Sequence, residues 1–224
     1  MFNMIIKKST QILVLFILTL AFITAHQPRI VYQQQLSIKS PLLIENSEIS
    51  QAFYAELKNS PEYYRIISAE EFNLYLNILS PDIKNSEKDF SVQILGRNIS
   101  LNGENFNWTN FYEEFAGDNY WKGPEYENII EPGEYIIQVS SPDNNGKYVL
   151  AVGKIESFSF RETISTLLAM PRLKIYFEKS ILTSFSNIVG LFLLISIISI
   201  GFIVFLVFFI IRKISKKRLI YNLK

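Results

Sequence analysis

The chain has no cysteine. Disulfides and thiolate metal sites are therefore excluded, and the fold must rest on burial alone. There is one histidine, His26, so a Ser-His-Asp or Cys-His relay has almost nothing to draw on, and zinc is equally disfavoured. No P-loop and no dinucleotide-binding glycine pattern occurs. Acidic residues are missing from both ends: all 21 lie between Glu45 and Glu178. Eight of the 22 basic residues sit at those ends, Lys7 and Lys8 at the start and Arg212, Lys213, Lys216, Lys217, Arg218 and Lys224 in the tail. The middle holds 14 basic against 21 acidic residues, a balance of −7. That sign argues against nucleic acid as a partner.

What is present starts with a run of apolar residues, Ile188 to Ile211, without a single charge. As a helix it would be about 36 Å long, enough to cross a hydrocarbon core of about 30 Å with some tilt. The basic cluster that follows marks a cytoplasmic face and meets anionic lipid. At the other end, Lys7 and Lys8 precede an apolar run from Ile12 to Ala25. Its length suits a signal peptide cut after Ala25 or, because Ile23 is large for the −3 position, an uncleaved anchor. Either way residues 26–187 are expected outside the cytoplasm at the cell membrane, with residues 212–224 inside.

Between these ends the pattern is that of strands. Residues 26–47 read as an extended lead-in with a strand around Arg29 to Ile38. Phe72, Leu74, Leu76 and Ile78 alternate with polar or aromatic neighbours, as do Phe90, Val92 and Ile94. Gln51 to Leu57 and Glu62 to Ile67 are two earlier strands, parted by the turn signal Asn59-Ser60-Pro61. From Pro132 to Gly153, Tyr135, Ile137 and Val139 face one way and Tyr148, Leu150 and Val152 return with the same alternation, predicting a β-hairpin across Ser141 to Gly146. Residues 48–158 are thus expected to form a mainly β domain, an antiparallel sandwich of jelly-roll type. A juxtamembrane helical segment, residues 159–187, follows. Ser159 to Glu162 has capping-box spacing, so a helix starts near Phe160, and Pro171 is expected to break or kink it.

Pro132-Gly133-Glu134-Tyr135-Ile136-Ile137-Gln138-Val139, followed by Gly146-Lys147-Tyr148-Val149-Leu150-Ala151-Val152, resembles the final hairpin of pre-peptidase C-terminal-type jelly-roll domains. It is also similar to the GOLD-type sandwich of secretory cargo receptors. The wider run, with Pro81-Asp82-Ile83 and Gly117-Asp118-Asn119-Tyr120-Trp121, resembles membrane-anchored prokaryotic proteins. The resemblance implies a sandwich fold, and through the jelly-roll domains it allows bound Ca²⁺.

The candidate site is the stretch from Trp108 to Glu127, which holds both tryptophans and many acids. Gly117 and Gly123-Pro124 interrupt regular structure there, so a long irregular loop is expected, a usual place for function. Trp108, Tyr112, Tyr120, Trp121 and Tyr126 are the candidate partner-binding residues, with Trp121 as anchor. Glu113, Glu114 and Asp118 are the candidate Ca²⁺ ligands; no other cofactor is expected. The competing expectation is that the aromatics plug one end of the sandwich and the acids are solvated. Two functions follow. One is a non-catalytic, membrane-anchored extracytoplasmic binding or scaffolding module, holding lipid through its C-terminal helix and an extracytoplasmic protein or ligand through the loop. The other is an envelope enzyme or accessory subunit of a membrane complex using carboxylates of the same loop, such as Glu113 with Glu114 or Glu125 with Glu127.

Overall fold

The computed structural model describes residues 26–32, 36–113, 117–157 and 159–185, with helical positions 194, 198–209 and 211–212 beyond them. Among the described residues, eleven strands form two sheets. The first, in the order β1-β3-β11-β5-β9-β8, contains β1 (Gln27–Ile30), β3 (Gln51–Lys58), β11 (Asn145–Val152), β5 (Phe72–Pro81), β9 (Asp118–Ile130) and β8 (Thr109–Glu113). The second, in the order β2-β4-β10-β6-β7, contains β2 (Leu42–Leu43), β4 (Glu62–Ser68), β10 (Gly133–Ser140), β6 (Ser91–Ile94) and β7 (Ile99–Leu101). The pairing is antiparallel except at β1 with β3 and β2 with β4, which run parallel. The lead-in therefore supplies a strand to each sheet.

The alternation places one row of each strand between the sheets. Phe53, Leu74, Leu76, Ile78, Leu150 and Val152 of the six-stranded sheet meet Tyr64, Ile66, Val92, Ile94, Ile137 and Val139 of the five-stranded one. Polar contacts cross the same core. Tyr148 donates its hydroxyl hydrogen to Glu62 at 2.7 Å, so the Tyr64 hydroxyl donates to Tyr148 oxygen, also at 2.7 Å. Burial raises the pKa of Glu62, and the Tyr148 hydrogen bond opposes that shift.

The hairpin expected from Pro132 to Gly153 is not formed. β10 pairs with β4 and β6, whereas β11 pairs with β3 and β5. The chain between them crosses from one sheet to the other, and the connection after β3 does the same. Period-two alternation shows which side chains turn inward but not which sheet a strand joins; both arrangements bury the same row. The two crossings touch, Asn59 N–H donating to Asn145 Oδ1 at 3.3 Å. Asn59 and Asn144 hold φ of 58° and 53°, a region Asn tolerates better than most residues.

The irregular loop expected from Trp108 to Glu127 is also corrected: it is mostly β8 and β9. Pro124 sits inside β9 because the register with β5 shifts between Asn77 and Leu79. There the Asn77 side-chain amide donates to the Gly123 and Pro124 carbonyls at 3.2 and 3.1 Å, replacing ladder bonds at an irregularity where proline is tolerated.

Helix α1 (Phe160–Tyr176) begins where expected, with Ser159 Oγ accepting from Glu162 N–H. It runs through Pro171 without ending there. A proline inside a helix costs about 3 kcal/mol. Burial of Met170 before it and of Leu173 and Phe177 after it offsets that cost. A short 3₁₀ turn, Ile181–Phe185, follows. Of the expected span 188–211, only positions 194, 198–209 and 211 are among the described residues; the rest, like residues 1–25, lie outside them. Among the described residues no helix is long and apolar enough to cross a membrane.

Candidate functional site

The aromatic residues of 108–127 divide by strand face. Trp108 is buried, its indole N–H donating to the Gly103 carbonyl at 2.8 Å. It lies against two glycines. A Cβ on Gly123 would stand 2.6 Å from its ring, and one on Gly103 would meet the Phe90 carbonyl at 1.9 Å. Trp108 thus closes one end of the core. Trp121 is half-buried and packs on the same core. Its indole N–H donates to Asp82 at 3.1 Å and Lys88 sits 4.0 Å from its ring centroid. Tyr126 is half-buried against the same core, opposite Leu76 of β5, and Tyr120 is buried on the outer face of the sheet. Tyr112 is half exposed on β8, whose next residues Glu114, Phe115 and Ala116 lie outside the described residues. The five aromatics do not form one surface, because successive residues of a strand face opposite ways.

Of the acids, Glu113 and Asp118 are cross-strand partners on β8 and β9, whereas Glu125 and Glu127 lie farther along β9. Asp118 faces Lys174 at 2.8 Å and Lys179 at 3.3 Å. Glu125 pairs with Lys122 at 2.9 Å, and Glu127 with Lys154 at 2.5 Å. These contacts hold the Glu125 and Glu127 carboxyls below the usual range. Burial lowers the pKa of Lys179 against the pull of Asp118. Asp118 already has two ammonium groups, and Glu114, the third expected Ca²⁺ ligand, lies outside the described residues. Among the described residues no group of three metal-ligating side chains forms.

Among the described residues, a concave feature lies on the outer face of the six-stranded sheet, the face on which α1 packs. Phe177 stands between Tyr54 and Tyr120, with ring centroids 5.6 and 6.2 Å away. Beside it is a cavity of about 220 Å³. Its floor is the cross-strand pair Ala52 and Ala151, with Val149 and Leu79. Tyr54, Tyr75, Tyr120 and Phe111 supply its aromatic lining, and His26, Asn77, Glu113 and Lys122 its polar groups. Burial lowers the His26 pKa, so the imidazole is neutral at physiological pH; its Nδ1 is bonded to Ser50 Oγ. Burial pushes the Tyr54 and Tyr120 hydroxyls well above their ordinary pKa, so both stay protonated. Tyr75 donates to Glu125 at 3.0 Å.

Sequence reasoning missed this cavity, though a signal was present. The buried stretches of β3, β5 and β11 run almost without a break. Continuous burial marks strands covered on both faces, not strands with one face in water. The cover is α1, and a helix cannot be assigned to a particular sheet face from its own sequence.

No protein-family model matches the chain, and no curated protein matches it either. Among solved structures, it is similar to the pre-peptidase C-terminal domain of collagenase from Bacillus anthracis. That match has 12% identity and a TM-score of 0.30, over 56% of this chain and 94% of that one. A β-glucosidase from Kluyveromyces marxianus in complex with glucose matches with 12% identity and a TM-score of 0.29, over 62% of this chain and 14% of that one. At these scores neither likeness carries an argument about this chain. The sandwich is established by its own strand pairing.

Proposed function

We propose that the chain is a non-catalytic binding module, anchored in the cell membrane by residues 188–211 and displaying its sandwich outside the cytoplasm. The observation that carries the binding reading is β8. It closes one edge of its sheet and pairs, among the described residues, with β9 alone. Four of its five residues are exposed, Phe111 and Tyr112 among them. An exposed aromatic edge strand is a template on which an extended partner segment can add a strand. The uptake of Asp118, Glu125 and Glu127 into ion pairs supports the non-catalytic side of the reading. The anchor is supported by the helical positions 198–209, where Ile198, Phe202, Val204, Phe205 and Phe208 expose 60% or more of their surface. Such a face is costly in water and favourable in lipid.

A photo-crosslinking residue at position 112, in the full chain in its native membrane, tests the contact. It should give a discrete adduct, while the same residue at Ile67, an exposed apolar position on the other sheet, should give none. No adduct at 112, or equal adducts at both positions, refutes the β8 reading. A reporter active only outside the cytoplasm, fused after Lys224, should be silent; its activity would overturn the topology.

A further inference from the structure

Helix α1 has a face that the sandwich does not use. Leu173 and Phe177 pack on the six-stranded sheet, and Thr166 and Met170 are buried on the same side of the helix. The opposite side presents Arg161, Ser165, Leu168, Arg172 and Ile175, all exposed. Their spacing of four, three, four and three stacks them on one stripe, within an arc of about 80°. Leu168 and Ile175 on that stripe expose 65% and 61% of their surface. Ion pairs fix which side faces out. Arg29 of β1 meets Glu162 in the first turn at 2.5 Å, and Asp118 of β9 holds Lys174 at 2.8 Å. The stripe therefore cannot roll onto the sheet.

A helix that only covered a sheet would turn polar residues to water. This stripe instead mixes apolar side chains with arginines and holds no acid. The acids nearest to it, Glu162 and Glu178, are bound by Arg29 and Lys147. Among the described residues, neither Arg161 nor Arg172 has an ion pair. Guanidiniums on apolar ground suit phosphate, which they bind through paired N–H groups while their stems stay on apolar surface. The course of the chain names the surface that supplies the phosphate. After α1 the backbone turns at Glu178, with φ of 57°, and Lys179 N–H donates back to the Lys174 carbonyl at 2.8 Å. The 3₁₀ turn Ile181–Phe185 stays in contact with α1 and adds Ile181 and Leu182, exposed by 43% and 78%. From Phe185 to Ile188 the chain reaches about 10 Å at most. The start of the apolar span is thus held near the C-terminal end of α1.

We infer that the outer stripe of α1 lies in the phospholipid headgroup layer of the membrane entered at Ile188, with Leu168 and Ile175 at the acyl boundary and Arg161 and Arg172 on lipid phosphates. This rests on the anchor proposed above and gives that anchor an orientation. An interfacial helix sinks its apolar side about 5–10 Å into this layer. The layers then run from the membrane through α1 and the six-stranded sheet to the five-stranded sheet. The β8 edge opens sideways, and a segment adding to it approaches along the membrane surface.

Because the chain has no cysteine, single nitroxide labels can be placed cleanly. Leu168→Cys, Ile175→Cys, Ile67→Cys and Phe205→Cys are labelled one at a time, in the full chain in nanodiscs of phosphatidylcholine and phosphatidylglycerol. All four positions are exposed, so the labels displace no core residue. Collision with oxygen reports lipid, and collision with a water-soluble nickel chelate reports water. Oxygen should dominate at 168, 175 and 205, and nickel at 67, on the far sheet. Arg161→Gln together with Arg172→Gln should shift the label at 168 toward nickel and leave the label at 205 unchanged. Nickel dominance at 168 or 175, with 205 in lipid, overturns this inference and leaves the anchor standing. Nickel dominance at 205 overturns the anchor and the inference with it. Shielding of 168 and 175 from both reagents would mean that protein covers the stripe and also overturns the inference, as does an unchanged ratio at 168 in the double variant. The β8 contact is read separately, from its adduct at position 112.

Discussion

Replacing Trp108 by alanine separates a core plug from a recognition residue. The ring is about nine-tenths buried and fills the space made by Gly103 and Gly123. Truncating a buried tryptophan to alanine costs about 3–5 kcal/mol. The Gly103 carbonyl loses its indole donor as well, a further ~1 kcal/mol. A loss of about 4–6 kcal/mol is a large share of the roughly 5–15 kcal/mol that a domain has. Trp121→Ala is the internal control. That ring is only half-buried, and its contacts are a side-chain hydrogen bond to Asp82 and the Lys88 ammonium. A cation–π contact at a surface is worth about 0.5–1 kcal/mol, and an exposed hydrogen bond about 1 kcal/mol, so its loss should cost about 2 kcal/mol. Urea unfolding of the full chain in mild detergent, followed by far-UV circular dichroism, measures both variants without relying on tryptophan emission. Gly123→Ala adds a second arm. Its Cβ would press on the Trp108 ring at 2.6 Å and on the Ile78 carbonyl at 2.8 Å. Combined with Trp108→Leu, it should cost less than the two changes separately, with a coupling of about 0.5–3 kcal/mol. A Trp108→Ala loss under about 1 kcal/mol, or a larger loss at Trp121, would refute the assignment of Trp108 to the core.

Two other predictions concern buried charge. The Glu62 pKa is raised in the folded state, so the folded chain holds this proton when the unfolded chain has released it. Stability from this group is present below the unfolded pKa and is lost as pH rises through the raised folded one. Glu62→Gln should flatten that part of the pH–stability curve while keeping an acceptor for Tyr148; an unchanged slope would show that Glu62 does not carry it. Asp118→Asn should leave Lys174, whose side chain is 1% exposed, without its counter-charge, at a cost of about 3–5 kcal/mol. Hydrogen exchange should then rise across the C-terminal half of α1 first; protection unchanged there would mean that the pair does not fasten the helix.

The sequence alone determined where most strands lie and which of their residues turn inward. Leu76, Ile94, Ile137 and Leu150 are all buried as their alternation requires, because the side-chain period of two is a property of the strand itself. The start of α1 was equally legible, since Ser159 caps Glu162 through neighbours in the chain. The expected apolar span 188–211 was legible as composition. Tertiary structure decided the rest. Strands 133–140 and 145–152 separate into two sheets although a hairpin and a crossing bury the same rows, so no local pattern distinguishes them. The glycines and proline of 108–127 predicted a loop, yet Gly123 serves a ring fifteen positions earlier in the chain, and Pro124 is accommodated by the amide of Asn77, far away in sequence. The tryptophans looked alike in sequence and differ in burial because Trp108 meets two glycines across the end of the sandwich, whereas Trp121 meets Lys88 and Asp82 at its rim. The cavity was the least legible feature. Its lining comes from β3, β5, β8, β9 and β11 together with His26, stretches that only the folded chain brings together.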